Sequence, residues 1–304
     1  MSAPLLGVDL GGTSTKLLLG RPGPDGAEPL EQTQVPTPRG PGALDLLADR
    51  VQAFLAGRTV AAAGVTVPGL LDGDGVVTRS VNLPWLDGVA VGDVLGTALG
   101  VPVVAVHDGR AAARAEAVLG AGRGHADVYV LTLGTGIAGA QVIGGQVLAG
   151  AHLSAGEVGH VSQDDHGRLC SCGQRGCLET LVGAEHLARR WQEVLAAEGS
   201  TPQTAPTARD LVEAARAGHP GASAVLDQAT TALARALLAL LATVDPGLVV
   251  VGGGLGQAAD VVVAPAVVKL TERATFHSVP PVVPSALGPW AGAWGAVLGA
   301  ADQR

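Results

Sequence analysis

The apolar residues of this chain gather into short runs separated by glycine-rich turns, with helical stripes between them. Leu5 to Asp9 reads as a strand, Gly11-Gly12 as a turn, and Lys16 to Leu19 as a second strand. Residues 21–29, RPGPDGAEP, read as one extended turn. Ala43 to Leu55 places Leu44, Leu47, Val51 and Leu55 on one helical face. Val60 to Val67 predicts a strand stopped by Pro68-Gly69, and Val89 to Leu99 a helix. Val101 to Val106 predicts a buried strand ending at His107-Asp108, and Ala111 to Leu119 a helix.

The second half repeats the opening. Val128 to Leu133 reads as a strand, Gly134-Thr135-Gly136 as a turn, and Ala140 to Ile143 as a strand before another glycine turn at 144–145. DLGGTSTKLLLG and TLGTGIAGAQVIGG are one strand–turn–strand device used twice, about 123 residues apart. Residues 207–243 have a helical pattern, Leu248 to Val251 a strand pattern, 255–273 a helical one, and Gly292 to Ala301 that of a small-residue helix. Together these elements predict an α/β protein of two related domains. The smaller spans 1–112 and the larger 113–289, and the helix within 290–304 is placed to return to the first.

Composition sharpens this picture. The chain has 304 residues, 47% of them hydrophobic and 15% charged, which excludes disorder and allows a large core. Aromatics are only 2%, so Ala, Val, Leu and Gly must fill that core. The net charge is −8 with no basic run, which argues against nucleic acid as a partner. MSAPLLGVDL lacks the pattern of a secretion signal, and the longest apolar stretch, Ala236 to Val244, is too short to span a bilayer. A cytoplasmic protein without membrane contact is expected.

Several groups of residues carry candidate chemistry. Asp9, Gly11, Gly12 and Thr13, with Lys16, form a turn whose backbone N–H groups suit a phosphate, and Asp9 suits Mg²⁺ through water. Read alone, an ordinary glycine hairpin explains it equally well; the second turn, Gly134-Thr135-Gly136, suggests a pair of loops clamping a polyphosphate. Gly252-Gly253-Gly254 follows a valine strand, and Glu272 falls inside a predicted helix. A mononucleotide therefore fits better than a dinucleotide, with these glycines against adenine or ribose.

Cys170, Cys172 and Cys177 with His160 supply the four ligands tetrahedral Zn²⁺ takes, the alternative being three reduced thiols. A metal with four protein ligands would be structural. Glu157 and Glu179 flank that cluster, and carboxylates accept bonds from neighbouring sugar hydroxyls, the alternative being plain surface solubility. Asp108 ends a strand, where open α/β sheets present their chemistry, although an aspartate cap for the helix at 111 is a simpler explanation of it.

Taken in order, the turn at 9–16, Asp108, the turn at 134–136, GEVGH at 156–160, CSCGQRGCLE at 170–179 and GGG at 252–254 resemble the ROK family of bacterial repressors and sugar kinases over essentially the whole length. The resemblance implies an actin-like ATPase (ribonuclease H-like) fold with an interdomain cleft, and a glucokinase-like kinase that phosphorylates a hexose. It implies MgATP on the two turns with adenosine on the larger domain, Zn²⁺ on His160, Cys170, Cys172 and Cys177, and Asp108 as the base. It further implies that Asp108, Glu157, His160 and Glu179 surround the sugar, with Gly69 and Asn82 nearby, and that the protein is a homodimer or homotetramer. The chain departs from the family at His107, where Asn is usual and normally contacts sugar, at Gly109-Arg110, where Ala-Asn is usual, and at Ala138, where a glycine is common. That leaves open a kinase for another sugar, such as N-acetylmannosamine or fructose, or a sugar-binding protein without turnover. Polyphosphate also remains open as donor. A repressor is disfavoured, since the first turn begins by residue 9 and the chain is acidic.

Overall fold

The computed structural model describes residues 3–23, 26–80, 83–200 and 202–303. The chain forms two compact units. One holds the chain up to Gly124, Gly145–Val147 and the segment from Ala286 onward; the other holds His125–Gly144 and Leu148–Ser285. A division at residue 112 would cut a helix, because α3 spans Asp108–Val118.

The first unit is built on strands β1 (Leu5–Leu10), β2 (Ser14–Gly23), β3 (Gly26–Pro36), β4 (Ala63–Val67) and β5 (Val103–His107). Their order in the sheet is β3-β2-β1-β4-β5, with β1, β2 and β3 antiparallel and β1, β4 and β5 parallel. Helix α1 (Ala43–Leu55) buries Leu47, Val51 and Leu55 as the periodicity predicts, and α2 (Val91–Leu99) buries Val91 and Leu95. These helices pack with Leu6, Val8, Leu10, Leu17 and Leu19 of the sheet. Leu5 and Leu18 instead join Ala115 and Leu119 and the C-terminal helix (Ala291–Ala301) through Trp294 and Val297. The sheet is thus covered on both faces, which suits its parallel centre.

The second unit repeats the plan. Strands β6 (Asp127–Leu133), β7 (Ile137–Ile143), β8 (Leu248–Gly252) and β9 (Val282–Pro284) lie in the order β7-β6-β8-β9, again with antiparallel pairing on one side and parallel neighbours on the other. Their apolar residues pack with helices α4 (Leu178–Val182), α5 (Ala184–Ala197), α6 (Ala208–Arg216), α7 (Pro220–Val244) and α8 (Ala264–Arg273) in one core that includes Leu131, Leu187, Leu211, Leu237 and Leu270. Helix α7 is long and apolar enough to cross a membrane by length and composition, which the shorter apolar stretch at 236–244 did not reveal. Its residues Val225, Ala229, Leu233, Leu237 and Leu241 are buried in this core, the place of a core helix in a globular unit.

Three expectations are corrected. The turn expected over 21–29 shrinks, because β2 continues through Gly23 and β3 starts at Gly26. As an edge strand, β3 needs no apolar stripe, so its polar sequence and Pro29 do not read as sheet. The helix expected over 255–273 is broken into a short turn at Gly253–Gly256, a π-helical turn at Ala259–Val263 and α8. Finally, α3 begins at Asp108 rather than Ala111, and its cap is His107, whose Nδ1 accepts from the Arg110 N–H at 3.4 Å. Asp108 is therefore not the helix cap.

Candidate active site

In the first unit the polar residues collect at the C-terminal ends of the parallel strands. Asp9 is the penultimate residue of β1, and its two carboxylate oxygens are held separately: Thr66 Oγ1 donates to Oδ1 at 2.7 Å, and Lys16 Nζ lies 3.0 Å from Oδ2. This fixes the orientation of a carboxylate that is only 14% exposed. The turn after it is also braced. Thr37 Oγ1 donates to the Gly11 carbonyl at 2.6 Å, Arg39 Nη2 to the Gly12 carbonyl at 2.6 Å, and the Thr37 N–H to the Thr13 carbonyl at 3.0 Å. Gly69, beyond β4, lies against other backbone, for a Cβ there would sit 2.5 Å from the Arg79 carbonyl oxygen. Asn82 lies outside the described residues.

Asp108 follows β5 at the first position of α3. The Gly109 N–H donates to its Oδ1 at 2.7 Å, and His107 Nδ1 lies 3.4 Å from that same oxygen. Burial is the largest influence on its acidity and, with the smaller upward effect of the Asp9 charge, outweighs the Gly109 N–H and Arg110, so that its pKa stands raised at about 6. One side of the carboxylate nevertheless stays open, with 41% of the side chain exposed, so a ligand has access to it. A carboxyl tuned this close to neutrality is what a general base needs: ionised at physiological pH, yet basic enough to take a proton.

In the second unit the two glycine motifs meet. Gly134 and Thr135 of the first and Gly254 of the second line one cavity of about 600 Å³ with Ala184, Thr207, Ala208 and Val212. Gly253 has φ +81°, and a side chain there would collide with the Leu133 carbonyl, so glycine lets the strand end press against β6. Gly254 has open space where a Cβ would be. The volume suits a nucleoside. The wall contributed by α6 is absent from the expectations drawn from sequence, although Thr207 and Asp210, which close a reciprocal cap on that helix, mark where it begins.

Glu179, on α4, reaches the same turn. Its Oε2 accepts from the Ile137 N–H at 3.1 Å, and the Ala184 N–H donates to the Gly134 carbonyl at 2.9 Å. The segment bearing Glu157 and His160 lies along β7: the Gly139 N–H donates to the Gly156 carbonyl at 2.8 Å, and Val158 packs on the core.

His160, Cys170, Cys172 and Cys177 converge, with one ligand atom from each within 4.8 Å of all the others. His160 Nδ1 lies 3.6 Å from Cys170 Sγ, and Cys172 Sγ lies 3.6 Å from Cys177 Sγ. Ligand atoms on a tetrahedral Zn²⁺ with bonds of ~2.3 Å stand roughly 3.8 Å apart, so the set fits the ion in number, type and spacing. All three cysteines are free thiols. Burial, then the neighbouring Cys172 and Cys170 sulfurs, push the Cys177 thiol up to about 12, a crowding that a dication would relieve.

A model of the ROK family matches residues 5–303 of this chain. The glucokinase of Thermotoga maritima is 34% identical over 290 residues, which cover 92% of this chain and 89% of that one. Among solved structures, a ROK-family glucokinase from Streptomyces griseus in complex with glucose and AMPPNP is 28% identical, with a TM-score of 0.84 over 98% of this chain and 99% of that one. The ROK hexokinase of Thermus thermophilus is 32% identical, with a TM-score of 0.82 over 99% of this chain and 98% of that one.

Proposed function

The chain belongs to the ROK family, and from that premise we propose that it is a sugar kinase transferring the γ-phosphoryl group of ATP to a hexose hydroxyl, with glucose to glucose 6-phosphate as the leading reaction. Its fold is that of the actin-like ATPases. The observation that carries the reading is the Asp108 carboxyl, open on one side, placed at a strand end and raised to about 6.

Asp108 accepts the proton of the attacking hydroxyl as the phosphoryl group transfers in line. The braced turns at 9–13 and 134–136 offer backbone N–H groups to the phosphates, and the cavity beside Gly252, Gly253 and Gly254 takes the adenosine. Asp9, oriented by Lys16 and Thr66, would hold the Mg²⁺ of the ATP donor, which would supply charge neutralisation at the phosphates. Glu157 and Glu179 accept bonds from sugar hydroxyls and His160 donates one, and Gly69, Asn82 and His107 are further candidate sugar contacts.

His160, Cys170, Cys172 and Cys177 would hold one structural Zn²⁺, which supplies a rigid cross-link. With Nδ1 turned toward Cys170, His160 keeps Nε2 for the sugar. Reduced thiols and an ATP donor both suit the cytoplasm, and the family resemblance favours a homodimer or homotetramer.

A second reading rests on His107. Its Nδ1 caps α3 and lies beside Asp108, so it offers less to a sugar than a free amide does. That geometry supports a different hexose as substrate, such as N-acetylmannosamine or fructose, or binding without turnover. ADP release measured across a hexose panel, with ATP and with polyphosphate as donor, tests both readings. Turnover of glucose with ATP supports the first; turnover of another sugar alone moves the assignment; binding without ADP release overturns the kinase.

A further inference from the structure

Helix α3 carries Asp108 at its first position and two buried or half-buried charged side chains, Arg114 and Glu116, near its other end. Glu116 is 1% exposed. Its Oε2 accepts from the Ala121 N–H at 3.1 Å and the Ala286 N–H at 3.1 Å, and its Oε1 from the Leu287 N–H at 2.8 Å. A Cβ at Gly120 would collide with Oε2, so the carboxylate is enclosed by backbone. Arg114 donates through Nε to the Gly145 carbonyl at 3.3 Å, and its guanidinium grips Asp302, with Nη2 to Oδ1 at 3.0 Å.

These partners are not scattered along the chain. Ala121 lies on the stretch that leaves the first unit after Gly124, Gly145 is where the chain re-enters it, and Ala286 is where it re-enters for the last time. One helix therefore holds, by side chains two residues apart, three of the places where the chain passes from one unit to the other. A buried carboxylate accepting several backbone N–H bonds is a strong and directional fastening, because those donors would otherwise be desolvated and unpaired.

We propose that Glu116 and Arg114 are positioning residues that lock these chain passages to α3 and thereby set the placement of Asp108. This rests on the reading of Asp108 as base. A shift of the helix by a fraction of its rise would displace the carboxylate, and small misplacements of catalytic groups are costly.

The test is a double-mutant cycle in kcat, measured well below the unfolding temperature with ATP and the best hexose. Glu116→Gln keeps the shape but turns an amide N–H₂ toward backbone donors. We expect kcat to fall 10- to 100-fold on the order of, with KM for ATP changed less than twofold. Adding Glu116→Gln to Asp108→Asn should then cost almost nothing further, since a misplaced base and an absent base are equivalent. Should Glu116→Gln not fold, Arg114→Met, which removes contacts at the surface, takes its place, with a smaller loss in the same direction. Unchanged kcat in the folded variant, or losses that simply multiply in the double mutant, would overturn the proposal. If Asp108→Asn itself keeps full activity, the base assignment fails instead, a result that the single mutants distinguish.

Discussion

Glu179 stands directly against Gly136: a Cβ at 136 would lie 2.6 Å from Glu179 Oε2, so any side chain there would displace the carboxylate. The turn and the acid are therefore one structural element, in which the glycine admits the carboxylate and the Ile137 N–H holds it. Gly136→Ala should push Glu179 away and lower kcat/KM for the sugar by on the order of 10²-fold. Tm should change little, since the turn lies outside the packed core. Steady-state kinetics with sugar and ATP varied separately check this, and an effect confined to ATP would assign the turn to phosphate alone.

Asp108→Asn is expected to remove activity and yet stabilise the protein at neutral pH. The sign follows from the raised pKa. Burial disfavours the ionised form in the folded state, so above about pH 6 the folded chain carries a penalty that the unfolded chain lacks. Below about pH 4 both states are protonated and the penalty vanishes. Thermal melts at pH 7.5 and pH 4.5 should show the variant gaining in Tm at the higher pH and gaining less at the lower. Turnover of the native protein should decline as pH falls through about 6, where the base takes up its proton.

Zinc should be found at close to one ion per chain by elemental analysis of protein purified without added metal. Chelation is expected to lower both Tm and sugar affinity, because Glu179 follows Cys177 by two residues and His160 ends the segment carrying Glu157. Metal-free protein with full activity would remove zinc from the account.

Ala208→Trp places an indole in the cavity of about 600 Å³ beside the turn at 134–135. KM for ATP should rise tenfold or more, while sugar binding measured without nucleotide stays as it was. An ATP KM that does not move would mean the cavity holds no part of the nucleotide.

Much of this was legible in the sequence where the signal is local. The four metal ligands lie within 160–177, and the two glycine turns follow apolar runs whose register needs no distant partner. Helix α1 is bounded by its own stripe. What escaped depends on residues far apart. Thr66 meets Asp9 only because β4 lies parallel to β1, and Thr37 and Arg39 brace the first turn by returning along β3. The cavity wall on α6 is brought to the turn at 134–135 by the packing of the helical layer, which no short pattern encodes. Glu116 reads as a solvated acid on a helix until the segment at 286–287 covers it.

The repeated strand order lets the two sheets be read rank by rank across their strands. In the first, Lys16, Asp9 and Thr66 stand side by side at the strand ends, joined by an ion pair and a hydrogen bond. In the second, the matching rank is Ala138, Thr132 and Gly252. Each position has lost charge or bulk: ammonium to methyl, carboxylate to hydroxyl, hydroxyl to hydrogen. One copy of the scaffold presents a fixed electric field at its rim, and the other presents vacant volume. Exchanging the ranks would cost the protein twice, since Thr66→Gly would release Asp9 while Gly252→Thr would crowd the rim beside Ser285. Two sheets of like strand order thus differ at this rank in three residues each, one set charged and hydrogen-bonded, the other small.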